Sequence, residues 1–494
     1  MTITTLITLV FLAYVALLFI FSWVTSRKSG NQAYFIGNRK SPWYIVAYGM
    51  IGASLSGVTF ISIPGWVGQT QFTYLMVVFG YFFGYMVIAL VLLPIYYKFN
   101  LVSIYSYLNT RFGQTSQKTG ALFFILSRLI GASFRMFLVI NVLHMFIFSG
   151  LGWPFWTTAL LFIIIITLYS FRGGIRTIVW TDTLQTTFML AALVVTFYMI
   201  GEKLGIHMGG LLERAINDGY TRLIEDDWRH DRFFLKQFFS GMFITIVMTG
   251  LDQDMMQKNL SCRSLREAQK NVFSLGALLI PVNILFLFLG ASLYIYANDS
   301  GIIINFPSDE LFPRLAIEHF GGFAAVVFFL GLIAAAFSSA DGAITALTTS
   351  TIYDIIGFKD ESAESEITLK RLRYLIHFFI SSLIILINVL FRNINDKAVI
   401  DSLFTIAGYT YGPLLGLYAC GIFTQWSIKD RLVPIIAVAA PLLTWLLNRY
   451  STELLFGYQF GFELLILNGA LMIAGLWLIR KPQQKQQTIQ SNQL

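Results

Sequence analysis

The feature that most constrains this chain is the recurrence, from one end to the other, of apolar runs long enough to cross a bilayer. About twenty apolar residues are needed to span the hydrocarbon core as a helix, and about thirteen segments approach or exceed that length. Their approximate limits are 4–24, 43–64, 72–97, 119–149, 153–171, 177–201, 233–253, 268–297, 319–353, 372–391, 398–424, 431–449 and 460–479. Charged residues make up 12% of the chain, about half the share of an ordinary soluble domain. A helix satisfies its own backbone hydrogen bonds in lipid, so these runs predict an all-α polytopic membrane protein.

The connecting loops set an expected orientation. One side carries Arg27, Lys28, Arg39 and Lys40, then Lys98, Arg111 and Lys118, then Arg172 and Arg176, then Lys258, Arg263, Arg266 and Lys270. Lys370, Arg371, Arg373, Lys429, Arg431 and the tail residues Arg480, Lys481 and Lys485 continue the series. The other side is nearly free of charge or mixed, as in 202–232, where Glu202, Glu213, Asp218, Glu225, Asp226 and Asp227 accompany the basic residues. The excess of Lys and Arg on cytoplasmic loops then predicts an N-terminus outside and a C-terminus inside, in the plasma membrane. The expected divisions are a first helix and loop at 1–42, a core at 43–424, two further spans within 425–482 and a polar tail at 483–494.

The formal charge of +8 fits basic cytoplasmic loops, and no cluster of basic and aromatic residues marks a nucleic-acid surface. Cys262 and Cys420 give neither a metal spacing nor a disulfide framework. The sequence contains no zinc-protease, nucleophile-elbow or Cys/His motif, so no enzyme is expected.

Polar groups inside membrane spans are expensive and mark function by default. In V-A-Y-G-M-I-G-A-S-L-S-G-V-T-F-I-S-I-P-G, Gly49, Gly52 and Gly57 surround Ser54 and Ser56, with Thr59 and Ser62 following. Close helix packing is one reading; a broken helix whose freed carbonyls hold a cation at mid-membrane is the other. The segment A-A-A-F-S-S-A-D-G-A-I-T places Ser338, Asp341, Thr345, Thr348 and Thr349 within about 100° on one helical stripe. Ala335, Ser339, Gly342 and Ala346 flank it, and Phe337, Ile344 and Leu347 face away. Hydroxyl, carbonyl and carboxylate oxygens suit a hard cation. Asp182 lies in a span of its own, and Arg128 and Arg135 lie seven residues apart near one helix face. Two roles are open to these arginines: neutralising internal carboxylates, or holding an anionic group of a ligand. His144 and His377 read as packed, hydrogen-bonded residues, Gly80-x-x-x-Gly84 as a helix-packing motif, and Gly173-Gly174 as a short cytoplasmic turn.

Five stretches carry a family likeness: G-N-R-K-S-P-W at 37–43, A-S-L-S-G-V-T-F-I-S-I-P at 53–64, G-G-I-R-T-I-V-W-T-D-T-L-Q at 173–185, D-Q-D-M-M-Q-K-N-L-S-C-R-S-L-R-E-A-Q-K at 252–270, and the polar helix ending in T-I-Y-D-I-I. Together they resemble the sodium:solute symporter family. The resemblance implies a leucine-transporter-type core of two inverted five-helix repeats, formed by spans two to six and seven to eleven, with 252–270 as the loop after the sixth core helix. It implies a principal sodium site made by backbone carbonyls of Gly52, Leu55 and Ala335 and hydroxyls of Ser338 and Ser339. Some members hold a second sodium with an aspartate and three hydroxyls. Asp182 and Ser338 match two of those positions, whereas Asp341 and Gly342 replace serines. Ligating sodium, carrying a proton and pairing with Arg128 or Arg135 are all open to Asp341.

The same resemblance places the solute beside the break in the second span, near Ser54, Ser56, Gly57, Thr59, Tyr74 and Val78. The expected function is sodium-coupled import of a small organic solute by alternating access. A proton-coupled symporter using Asp341 or Asp182 is the main alternative, and a channel or a solute sensor a lesser one. Sugar, carboxylate, amino acid and vitamin solutes remain open, sialic acid is not indicated, and a monomer in the lipid bilayer suffices.

Overall fold

The computed structural model describes residues 3–26, 39–358, 363–393 and 399–481. The basic pair Arg27-Lys28, the Gly37-Asn38 end of the first motif and the polar tail at 483–494 lie outside these. Among the described residues there is no β-strand, and isolated bridges tie Ser41 to Cys262 and Ile428 to Arg480. Seven helices among the described residues are long and apolar enough to cross a membrane, or nine with two bent pairs, and three shorter apolar helices accompany them. Their outward faces carry exposed Leu90, Leu126, Val194, Tyr198, Phe379 and Leu442, as expected where lipid rather than water is the solvent.

The chain opens with α1 (Ile3–Ser26). The second apolar run is not one helix. It forms α2 (Trp43–Ser54) and α3 (Gly57–Thr70), which meet at 53°. Leu55 (φ −88, ψ 76) and Ser56 (φ −73, ψ −179) leave the helical region between them. Then come α4 (Leu75–Lys98), α5 (Gln114–Leu143) and α6 (Phe155–Leu204). The backbone of α6 is helical throughout, so the expected turn at Gly173-Gly174 is a helical passage. At 1.5 Å per residue a straight helix of 50 residues would be about 75 Å long, more than twice the apolar thickness of a bilayer. This element therefore covers two of the expected spans.

An amphipathic surface helix, α7 (Met208–Asn217), precedes a second bent pair, α8 (Phe234–Gly250) and α9 (Gln253–Leu260), which meet at 67°. The stretch beginning D-Q-D-M-M-Q-K, expected as a loop, is thus the second half of a broken helix. It breaks because Leu251 and Asp252 are non-helical and the Asp252 carboxylate caps the Met255 amide at 3.2 Å, starting a new helix. The remaining helices are α10 (Leu265–Asp299), α11 (Gly322–Ser350), α12 (Ala363–Arg392), α13 (Val399–Phe423), α14 (Val433–Arg449) and α15 (Leu464–Leu478).

Glycines set the closest approaches. A Cβ on Gly80 of α4 would lie 2.0 Å from the Phe238 carbonyl, and one on Gly241 of α8 would lie 2.0 Å from the Val77 carbonyl. These two helices touch backbone to backbone, as small residues in membranes permit. Every residue of α11 from Gly331 to Ser350 is buried, so its polar stripe and its bulky face both pack inside the protein.

A cavity of about 750 Å³ opens at the end bearing Trp66, Arg232, Asp309, Glu310 and Arg392. Around the second break, tyrosine hydroxyls tie together the backbone of neighbouring elements. Tyr96 donates to the Gly250 carbonyl (2.8 Å), Tyr105 to that of Leu251 (2.7 Å) and Tyr418 to that of Ile104 (2.8 Å). The Gln253 side chain holds the Ile104 amide and the Val102 carbonyl.

Candidate functional site

The last four carbonyls of any helix lack partners within it. Ending α2 at Ser54 therefore releases the carbonyls of Gly52 to Leu55 in mid-bundle. No backbone amide from Ser56 to Thr59 bonds back across the break, where the first bond is Phe60 to Ser56 at 3.0 Å. Glycine is required there. The Gly52 amide donates to Thr186 Oγ1 at 3.0 Å, and Thr186 Oγ1 donates in turn to the Asp182 carbonyl at 2.8 Å. A Cβ on Gly49 would lie 3.0 Å from the Asp182 Cβ. Both glycines thus seat α2 directly on the Asp182–Thr186 turn of α6.

On α11, Ser339 Oγ lies 3.2 Å from the Ala335 carbonyl, and Ser338 donates to Asp182 Oδ1 at 2.7 Å. The freed carbonyls on α2 and the buried carbonyl and hydroxyls on α11 are uncharged oxygen donors, the type that suits a hard monovalent cation. Among the described residues no group of His, Cys, Asp or Glu is arranged to hold a metal ion.

Beside the first break lies a cavity of about 90 Å³. Ser54, Ser56, Thr59 and Tyr74 line it, joined by Arg128, Arg135, Tyr81, Tyr85, Asn283 and Phe404. Of the residues expected around a solute, Gly57 and Val78 do not line it. Gly57 faces Val139 and the Arg135 carbonyl instead, and Val78 is fully buried.

The two arginines differ sharply. Arg128 pairs with Asp254 in a short contact and with Asp252 at 3.4 Å. Tyr411 donates to Asp252 Oδ2 at 3.2 Å. Lys258 Nζ lies 2.9 Å from Asp182 Oδ2 and 3.5 Å from Asp254 Oδ1, with all three side chains at 1% exposure. Arg135 makes no ion pair or hydrogen bond among the described residues, and its Nε is buried without a partner. One turn of α9 thus supplies the counter-charges for Arg128 and, through Lys258, for Asp182. The i,i+4 spacing of Asp254 and Lys258 was the available sequence signal, but a segment this polar reads as a loop. Asp341 accepts the Gly342 amide at 2.6 Å.

A family model described as the sodium:solute symporter family matches residues 34–425. The chain belongs to that family. A sodium/sialic acid symporter of Proteus mirabilis is 24% identical, over 93% of this chain and 92% of the other. Human sodium-coupled monocarboxylate transporter 1 is 23% identical, over 80% of this chain and 65% of the other. The human sodium/iodide cotransporter is 24% identical, over 81% and 63%. A sodium-coupled sialic acid symporter solved in a substrate-bound outward-open state superposes with a TM-score of 0.82 at 19% identity, covering 97% of this chain and 99% of that one. Mhp1, a nucleobase-cation-symport-1 family transporter in a closed conformation, gives 0.55 at 14% identity, over 90% and 94%. The fold is therefore of the leucine-transporter type. The symporter is a multi-pass membrane protein that couples solute transport to sodium by alternating access, and it is not an enzyme.

Proposed function

We propose that this symporter imports a compact organic anion, with a monocarboxylate as the best fit, by binding its carboxylate at Arg135. The supporting observation is that Arg128 is held by two aspartates whereas Arg135 lines the cavity without a partner. An unpaired guanidinium in a low-dielectric site favours a ligand that brings its own negative charge, and its planar fork suits a carboxylate. Relatives named for sialic acid, monocarboxylates and iodide are consistent with an anionic cargo. The cavity is narrow, at about 90 Å³, which favours a compact solute.

The cargo sodium would be held by the carbonyls of Gly52, Leu55 and Ala335 and the hydroxyls of Ser338 and Ser339. Its charge supports the state in which the broken helix and α11 lie close, and only that differential affinity can couple it to transport. Ser54, Ser56, Thr59 and Tyr74 offer polar contacts to the solute. The core at 43–424 would work as a monomer in the plasma membrane, N-terminus outside and C-terminus inside, supported by the loop charges.

The test is thermal unfolding of the purified protein in sodium chloride with added lactate, against propane-1,2-diol as the uncharged counterpart. A folded-state ligand raises stability by mass action. Stabilisation by lactate alone, lost in Arg135→Gln, is expected. Stabilisation by the diol, or an unchanged lactate effect in Arg135→Gln, would refute the anion reading.

A further inference from the structure

We propose that the ammonium group of Lys258 stands permanently where a second sodium ion would sit, so that this symporter binds one sodium rather than two. The inference rests on the sodium site proposed above and concerns a different place, the junction of α6, α9 and α11.

Three observations converge on it. Lys258 Nζ is 2.9 Å from Asp182 Oδ2, and Ser338 Oγ occupies Asp182 Oδ1 at 2.7 Å. The carboxylate that a second sodium would need thus already faces a fixed cation at Oδ2, beside the Ser338 hydroxyl at Oδ1. Next, position 342 has no hydroxyl, and no room for one: a Cβ there would lie 2.3 Å from Asp254 Oδ1. The Asp254 carboxylate, carried on α9, fills the space that a side chain on α11 would take. Finally, that same oxygen is 3.5 Å from Lys258 Nζ, so the cation and its extra carboxylate arrive together on one helical turn. A second sodium at Asp182 would have to enter beside a buried ammonium that lies 2.9 Å from the carboxylate oxygen it needs.

The substitution has a mechanistic meaning. A sodium ion in this position would enter from one side and leave on the other, adding its gradient to the driving force. A tethered ammonium cannot leave. It keeps α9 joined to α6 without drawing on the gradient. With one monovalent anion at Arg135 and one sodium, the loaded carrier gains no net charge.

The experiment counts sodium ions by equilibrium binding of radioactive sodium to the purified full chain, in potassium chloride of constant ionic strength. Wild type should bind one ion per chain and lose it in Ser339→Ala. Lys258→Gln frees Asp182 Oδ2 and Asp254 Oδ1 from the ammonium, and the count should rise to two. Two ions on wild type would overturn the inference while leaving the first sodium site standing. A folded Lys258→Gln that still binds one ion would also overturn it, because the lysine would then be structural only. No sodium on wild type would instead refute the sodium-site reading beneath it. If Lys258→Gln does not fold, Lys258→Gln with Asp254→Asn removes one charge of each sign, and the same rise to two is expected.

Discussion

A Cβ on Gly52 would lie 2.3 Å from Thr186 Oγ1, the hydroxyl that accepts the Gly52 amide. The end of α2 is therefore held against α6 by contact too close for any side chain, and this fixes where its freed carbonyls point. Gly52→Ala should push the two helices apart. The expected cost is about 1–3 kcal/mol of stability, as for other overpacked sites, with loss of the sodium-dependent rise in melting temperature. A variant that melts normally and still responds to sodium would show that this seating does not shape the ion site.

Arg128 and Arg135 should separate by kind of defect. Removing one partner of a buried, hydrogen-bonded charge pair costs about 3–5 kcal/mol. Arg128→Gln, which strands Asp252 and Asp254, should therefore melt far below wild type or fail to accumulate. Arg135→Gln removes no ion pair and should melt near wild type in the absence of solute. Circular-dichroism melts of the two proteins in detergent check this directly.

Gly342→Ser should collide with the Asp254 carboxylate and destabilise by about 1–3 kcal/mol. If the collision is the cause, Asp254→Ser combined with it should cost less than the sum of the two single changes, by about 0.5–3 kcal/mol. Strict additivity of the melting shifts would contradict the contact.

Gly80→Ala places a methyl against the Phe238 carbonyl and Met242 amide, backbone atoms that cannot turn aside. It should destabilise by at least about 1 kcal/mol. Gly150→Ala, with no atom within 4 Å of the new methyl, should stay within about 0.5 kcal/mol of wild type. Parallel denaturation of the two variants makes the comparison.

The first break was legible in the sequence because its signals are local: three glycines and two serines inside an apolar run. The second was not. L-D-Q-D-M-M-Q-K carries three charges in eight residues, which argues against burial when each is weighed alone. Asp252, Asp254 and Lys258 are buried all the same, because Arg128 and Asp182 arrive from helices distant in sequence and neutralise them. The role of Arg128 was open for the same reason: only the fold shows which arginine already has its carboxylates. The polar stripe of α11 was read correctly as a helix face, but its opposite side was not predicted to be buried as well. Periodicity reports contrast between faces, and a helix enclosed on every side offers little contrast.

Three tyrosine hydroxyls bond backbone carbonyls around the second break, two of them at the joint of α8 and α9. Each such bond contributes a net of about 1 kcal/mol, so this latch is shallow. A shallow latch lets thermal motion sample the opposite state often, and lets the departure of a single ion or solute decide which state prevails. The tyrosines then act as a threshold rather than a lock. Their number would set how readily the carrier turns over with sodium bound and no solute, and hence how much of the sodium gradient leaks away without cargo.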